Sequence, residues 1–148
     1  MACFVIMVIF IVELNNIMTA EEPTPENPVW LDEYGIVHIF QDKPFTRESV
    51  SELAALVKEA LLETEGHARI LYRLTKKMKG SVTSPEVRKK LVDAIKAILD
   101  GPGFERAAVY EGNTATRTIA SFIVALIGNK KIKIFKSKDN ALKWLKKP

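Results

Sequence analysis

Cysteine and histidine are scarce in this chain of 148 residues. The one cysteine, Cys3, excludes a disulfide within the chain and argues against a thiolate metal site. The two histidines, His38 and His67, have no cysteine or carboxylate at ligand spacing, which disfavours zinc and iron. A glycine-rich phosphate-binding fingerprint is also missing, so the sequence predicts neither a metal nor a cofactor.

The sequence also lacks a recognisable catalytic set. No nucleophile, base and acid stand at a known spacing. His38 alternates with Val37 and Ile39 on a predicted strand, which favours a half-exposed sheet residue over a catalytic base. His67 follows a predicted helix end. We therefore expect a protein that is not an enzyme.

Composition and length indicate one small globular domain. Apolar residues make up 47% of the chain and charged residues 27%, as in ordinary soluble domains. The length suits a single core and is too short for two. No repeat or low-complexity tract occurs, and we expect a cytoplasmic protein.

Positive charge is missing from the first part of the chain, where no lysine or arginine precedes Lys43. Most of it falls in two later stretches, and the C-terminal one supplies a candidate basic patch at Lys131, Lys133, Lys136 and Lys143. Such asymmetry suits an acidic protein, a nucleic acid or an anionic membrane, but it also suits a merely solubilising surface. Aromatic residues are not interleaved as in RNA-stacking modules, which disfavours nucleic acid.

The first 28 residues divide into two segments. Residues 2–12 are all apolar, but they are too few to span a bilayer and no basic residue precedes them. For residues 1–17 three interpretations stay open: a start assigned upstream of a true start at Met18, a signal-like or membrane-directing segment, and an extra packed element. If an apolar segment of this chain enters a membrane, residues 2–12 are the segment expected to do so. Residues 18–28 are rich in proline and glutamate and predict a mobile leader.

From residue 29 onward, strand and helix patterns alternate. The order ββαβαβαβα predicts an α/β domain over residues 29–148, with a small, mainly parallel sheet and about four helices. An opening hairpin over Val29–Leu31 and Ile36–Phe40, with Gly35 in its turn, makes the sheet mixed.

Capping residues predict where the helices begin and end. Thr46, the Ser84-Pro85 pair, Asn113 or Thr114, and Ser137 mark the helix starts. Gly66 and Gly128 mark the ends of the first and third helices. Helical spacing predicts the apolar side of the third helix to consist of Ile119, Phe122, Ile123 and Leu126.

The C-terminal stretch carries a moderately specific pattern. Its residues are Ile132, Ile134, Phe135, Ser137, Ala141, Trp144 and Leu145. This ending resembles that of SpoIIAA-like (STAS-type) domains, and weaker likeness extends over roughly residues 29–147. The resemblance implies a small sheet with helices. It also implies a non-enzymatic role, either protein–protein switching or binding of an apolar small molecule, as in relatives with the CRAL-TRIO lipid-binding architecture.

The resemblance also implies a place for a phosphorylated serine. Switching members of the family carry an Asp-Ser pair before the helix that follows the central strand. This chain has Ser81 and Ser84 in that region, without the aspartate. Ser84 is the better candidate, because a phosphate at a helix N-terminus is favourable, but the same serine also suits a plain N-cap.

A second candidate site lies at the start of the third helix. Ligands of open α/β sheets bind beyond the carboxyl ends of the strands. Asn113, Thr114, Thr116 and Arg117 are expected at that edge, where free amides and the guanidinium could hold an anion. The alternative is that the same residues only cap the helix.

The sequence thus leaves two main functions, and a third in which the lysine-rich C-terminus binds a nucleic acid or an anionic membrane surface. The first is a regulatory or scaffolding domain that binds another protein, with homodimerisation as one form, and the second is a carrier or sensor of a small apolar or amphipathic ligand. A cavity between the sheet and the 114–127 helix would favour the carrier. A filled core with an exposed apolar patch would favour the protein-binding domain.

Overall fold

The computed structural model describes residues 27–75 and 83–148. The predictions for residues 1–17 and for most of the 18–28 leader fall outside this part of the chain, as does Ser81. They stay predictions.

Five strands and four helices occur in the described residues, in the predicted order ββαβαβαβα. The strands are β1 (Val29–Leu31), β2 (Ile36–Phe40), β3 (Ala68–Arg73), β4 (Phe104–Tyr110) and β5 (Ile132–Phe135). The helices are α1 (Arg47–Leu62), α2 (Pro85–Leu99), α3 (Thr114–Ile127) and α4 (Lys138–Lys146).

The strands form one mixed sheet in sequential order, β1-β2-β3-β4-β5. β1 pairs antiparallel with β2, and every other pair is parallel. The predicted α/β class with an opening hairpin is therefore confirmed. Because each parallel strand is added on the same side of the last, α1, α2 and α3 cross over on one face of the sheet.

The turn of the opening hairpin is held by one carboxylate. Asp32 Oδ1 accepts hydrogen bonds from the amides of Tyr34 (2.8 Å) and Ile36 (2.9 Å). Its other oxygen, Oδ2, lies 2.8 Å from His38 Nε2 on β2. Gly35 has φ of +76°, a left-handed conformation that suits glycine. Asp32 thus fixes both the turn and the side chain of the following strand.

Side chains that alternate along the strands build two apolar layers. Toward α1, α2 and α3, the sheet presents Val37, Ile39, Ile70, Ala107, Val109 and Ile132. Toward α4 it presents Ile36, Leu71, Ala108 and Tyr110, which pack against Ala141 and Leu145. The sheet is therefore covered on both faces, by three helices on one side and one short helix on the other.

Three of the four helix starts are capped as predicted. Thr46, Asn113 and Ser137 each accept a hydrogen bond from the amide three residues on. α2 begins at Pro85, as predicted, but the Ser84 side chain makes no capping bond, so the predicted cap is wrong in this respect. The ψ angle of Ser84 is 121°, against 150–174° at the other three caps, and we attribute the missing bond to this rotation.

Two expectations about helix ends and faces need correction. α1 ends at Leu62, and residues 63–66 form turns, so Gly66 closes the turn rather than the helix. In α3, Ile123 is buried as predicted, but Phe122 is 53% exposed and Leu126 is 47% exposed. Their side chains face away from the sheet, whereas Thr116, Ala120 and Ile123 face inward. Gly128 does end α3, in the left-handed conformation.

The loops before β3 and β4 meet at two glycines. A Cβ at Gly103 would lie 2.8 Å from Gly66 Cα, and Gly103 also has φ of +76°. No larger residue fits there without moving the backbone of the neighbouring loop.

Two arginines of the sheet form hydrogen bonds with the C-terminal end of α4. Arg106 Nη1 on β4 donates to the carbonyls of Trp144 (2.7 Å) and Lys147 (3.0 Å). Arg69 Nη1 on β3 donates to the Leu145 carbonyl at 3.1 Å. These guanidinium groups satisfy carbonyls that a helix end leaves without partners, and their charge is favourable at the negative end of the helix dipole.

None of the helices in the described part of the chain is long and apolar enough to cross a bilayer.

Candidate functional site

A cavity of about 130 Å³ lies between the sheet and the helices α1, α2 and α3. It forms because the small side chains Ala54, Ala94, Ala107 and Ala120 stand where larger ones would fill the layer. Protein interiors are close-packed and rarely leave voids much larger than a water molecule. A space of this size is therefore a distinct feature of the core.

The cavity wall is almost wholly apolar. Each of the three helices contributes to it, and so do β2, β3, β4 and β5. The lining side chains include Ile39, Phe45, Val50, Leu53, Val57, Ile70, Leu74, Leu91, Ile95, Ile98, Val109, Ile123, Val124, Ile127 and Ile132. A wall of this kind does not hold water well, because water needs two to four polar partners.

Among the described residues that line the cavity, Tyr72 is the one whose side chain carries a polar atom. Tyr72 stands at the middle of the sheet on β3, in register with Ile39 of β2 and Val109 of β4. Its Oη is shielded from solvent and has no hydrogen-bond partner among the described residues. Burial raises the pKa of the Tyr72 phenol above its ordinary value, so the hydroxyl is neutral at physiological pH.

Sequence reasoning did not identify Tyr72, although a signal for it was present. The strand pattern alternates, so Tyr72 falls on the same face as Ile70 and Leu74, both of them buried core positions. A tyrosine at such a position in a central strand places a hydroxyl inside the core. What the sequence does not reveal is that the surrounding helices leave space.

The outer side of α3 is apolar and exposed. Phe122 and Leu126 are one helical turn apart and both point away from the sheet. The helix carries a single charged residue, Arg117. α3 therefore forms part of the cavity wall with one side and presents large apolar side chains to solvent with the other.

A polar groove of about 420 Å³ lies on the opposite face of the sheet, at the carboxyl ends of the strands. It runs past the start of α4. Its lining residues include His38, Phe40, Leu71, Arg73, Tyr110, Glu111, Lys136, Ser137 and Lys138. Within it Arg73 Nε donates to Glu111 Oε2 at 2.6 Å, and the Arg73 guanidinium lies 4.9 Å from the centre of the Phe40 ring. The charged groups of the groove thus partly neutralise one another.

The four predicted anion-binding residues lie together at the start of α3, and three of them bond within their own turn. Asn113 Oδ1 accepts from the Thr116 amide and from Thr116 Oγ1, each at 2.8 Å. Arg117 Nη1 donates to the Gly112 carbonyl at 2.7 Å, and Thr116 is fully buried. Thr114 is exposed at the first helical position. These contacts are those of a capped helix, and anion binding here stays a prediction.

The four lysines of the predicted basic patch make different local contacts. Lys133 on β5 lies over the Trp144 ring with its Nζ 5.3 Å from the ring centre. Lys131 Nζ donates to the Phe104 carbonyl at 3.4 Å, on the strand next to it. Lys136 lines the polar groove, and Lys143 is exposed on α4. Binding of an anionic partner by these lysines stays a prediction, as does phosphorylation of Ser84.

Both histidines have carboxylate partners that their sequence spacing did not suggest. The His38 side chain is 11% exposed, so it is more buried than predicted, and it pairs with Asp32 across the hairpin. His67 Nδ1 lies 2.8 Å from Glu105 Oε1 on β4. In the described ranges no three histidine, cysteine or carboxylate side chains gather into a metal-binding group.

Comparison with known protein families identifies a family that covers most of the described chain. The family described as SpoIIAA-like matches residues 36–146, which run from β2 to the end of α4. Neither the curated proteins nor the solved structures compared with this chain gave a match.

Proposed function

This chain belongs to the SpoIIAA-like family, and we propose that it is a non-enzymatic regulatory domain that binds a small apolar ligand inside its core. The observation that supports this proposal is the apolar cavity beneath α3. Family members of this type generally act by binding rather than by catalysis. A cavity between the sheet and the 114–127 helix is the feature expected of a carrier or sensor.

The size and chemistry of the cavity define a suitable ligand. An apolar cavity of about 150 Å³ in another protein stays dry and takes up benzene, so about 130 Å³ suits a ring of similar size. Transfer of such a ligand from water into an apolar wall is favourable by about 25 cal/mol for each Å² of buried surface. The cavity thus supplies binding energy without a charged or metal centre.

Uptake of toluene by the full chain tests this proposal. A ligand that binds only the folded state stabilises it by mass action, so we expect toluene to raise the melting temperature. Ala94→Leu on α2 adds three carbons to the cavity wall and should abolish the rise.

Ala97→Leu is the matched control, because Ala97 lies on the same helix and is exposed. It should leave the toluene effect unchanged. The proposal fails if toluene does not stabilise the wild-type chain, or if both leucine variants respond as the wild type does.

A second candidate function is protein binding through the outer side of α3. The observation that favours it is the exposed pair Phe122 and Leu126 on a helix with one charged residue. Contiguous exposed apolar surface marks interaction sites, whereas scattered apolar residues do not, and Phe122 and Leu126 adjoin along one face of α3. The partner would present a complementary apolar surface, since α3 offers almost no charge to pair with.

Cross-linking in extracts of the source cells tests the second function. A partner should be captured by the wild type and lost in the double variant Phe122→Ser, Leu126→Ser. Leu62→Ser is the control, because Leu62 is 85% exposed but lies on α1. Light scattering of the purified chain shows whether that partner is a second copy. Equal capture by all three proteins would exclude the α3 surface.

A further inference from the structure

The polar groove on the α4 face of the sheet differs in chemistry from the apolar cavity. It lies at the carboxyl ends of β2, β3 and β4, the edge at which open α/β sheets bind their ligands. Its volume of about 420 Å³ falls within the range of small-molecule sites. Charged side chains of its wall are open to solvent, since Arg73 is 45% exposed and Glu111 is 50% exposed. A molecule in the groove can therefore contact charged groups directly.

Positive charge exceeds negative charge in the wall of this groove. Among the described residues that line it, Arg73, Lys136 and Lys138 are cationic and Glu111 is the one carboxylate. Three cations against one carboxylate leave an excess of two positive charges. A phosphate monoester carries close to two negative charges at neutral pH and so matches this excess. The wall thus favours an anion, and a doubly charged one in particular.

Lys136 is the cation best placed to contact a ligand. It follows β5 directly and is exposed, and it forms no hydrogen bond or ion pair with another described residue. Ser137 and Lys138 come next and line the same groove as α4 begins. The charge of Lys136 is therefore available to an anion bound in the groove.

An ion pair forms another part of the wall. Arg73 on β3 donates from Nε to Glu111 Oε2 at 2.6 Å and from Nη2 to Glu111 Oε1 at 3.3 Å. Glu111 follows β4 with φ of +67°, a left-handed conformation that is costly for a residue with a Cβ and that clusters at functional sites. Glu111 thus competes with any other anion for the Arg73 guanidinium and lowers the affinity of the groove for it.

We propose that the groove binds a phosphate monoester of a small molecule, with Lys136 and Arg73 pairing with the phosphate oxygens. Guanidinium and ammonium groups both bind phosphate, the first through its planar fork and the second as a point charge. A single-stranded nucleic acid is the alternative occupant, but the volume of the groove suits a small molecule. The site lies on the other face of the sheet from the apolar cavity, so this proposal does not depend on the proposed function.

Glycerol 3-phosphate and glycerol are suitable probes, because they differ in the phosphate group and both are too polar for the apolar cavity. We would titrate the full isotope-labelled chain with each at constant pH and ionic strength and follow the backbone amide shifts by NMR. Glycerol 3-phosphate should cause saturable shifts at Arg73 and residues 136–138, and glycerol should cause none. Shifts that do not saturate, or that are equal for the two probes, would overturn the proposal.

Three variants, each a change of one charged side chain to glutamine, test which groups are responsible. Lys136→Gln should weaken the binding of glycerol 3-phosphate about threefold, and Glu111→Gln should strengthen it about threefold by removing the competing carboxylate. Lys130→Gln is the matched control, because Lys130 is exposed and lies at the other end of β5 from the groove. It should leave the affinity unchanged. Amide shifts away from the groove show in the same spectra whether each variant is folded.

The variants distinguish a site from general attraction between charges. Equal weakening by Lys136→Gln and Lys130→Gln would mean general attraction and would overturn the proposal, as would weaker binding by Glu111→Gln. A short single-stranded oligonucleotide is the competitor. If it displaces glycerol 3-phosphate at a far lower concentration than inorganic phosphate does, the groove binds a polyanion and the assignment to a small molecule is wrong.

Discussion

At the scale of single residues, the described part of the core contains one buried hydroxyl without a hydrogen-bond partner, that of Tyr72, and this lowers the free energy of unfolding. Tyr72→Phe removes an unpaired buried group and keeps the ring, so we expect the free energy of unfolding to rise by about 1 kcal/mol without ligand. Thermal or denaturant unfolding of both proteins measures the difference. A loss of stability in the variant would mean that the hydroxyl already has a partner in the folded chain.

The same residue predicts how stability depends on alkaline pH. Burial raises the pKa of the Tyr72 phenol above the unfolded value of 10.0, so above that pH the unfolded chain releases a proton that the folded chain retains. The wild type should therefore lose stability as pH rises past 10, and Tyr72→Phe should lose less. Denaturant midpoints measured from neutral to strongly alkaline pH test this. Parallel curves for the two proteins would contradict it.

Asp32 is the residue on which the opening hairpin depends most. Asp32→Ala removes acceptors for two backbone amides and for His38, and we expect a loss of about 2 kcal/mol in the free energy of unfolding. Glu33→Ala removes the same charge from the next position, which is exposed, and should change stability by less than about 0.5 kcal/mol. Equal effects would show that charge, rather than the bonded turn, is responsible.

At the scale of elements, the helix caps predict unequal costs for the same kind of change. Thr46→Ala should cost about 1 kcal/mol, because it removes a capping bond from the start of α1. Ser84→Ala should cost much less, because Ser84 makes no such bond at the start of α2. Chemical unfolding of the two variants gives the comparison. Equal losses would mean that Ser84 caps α2 in solution.

The sequence predicts where helices and strands occur better than it predicts which side of a helix is buried. The order of strands and helices along the chain and three of the four caps follow from apolar alternation and from hydroxyl or amide N-caps, which are local properties. The face of α3 does not follow, because Ile119, Phe122, Ile123 and Leu126 are all apolar and periodicity alone cannot select among them. Packing against the sheet decides which of them is buried: Ile123 is buried and Phe122 is exposed.

At the scale of the whole molecule, the cavity is a feature that local sequence patterns could not predict. A cavity is a shortfall of volume among side chains brought together from seven elements, and no segment of sequence records that sum. The pairing of Asp32 with His38 could not be predicted either, because it depends on the three-dimensional geometry of the hairpin. By contrast, the cluster at residues 113–117 could be located from sequence, because a helix start and a strand end are local features.

The sheet also divides the molecule into two separate layers, and this leads to a final prediction. Leu145 on α4 and Ile123 on α3 are both buried, but only Ile123 borders the cavity. Truncation of either to alanine should cost about 3 kcal/mol, as large-to-small changes in cores do. Only Ile123→Ala should change the dissociation constant for toluene, because it enlarges the space that the ligand fills. If Leu145→Ala altered toluene binding as strongly, the two faces would be mechanically coupled, and α4 would have to be counted as part of the binding site.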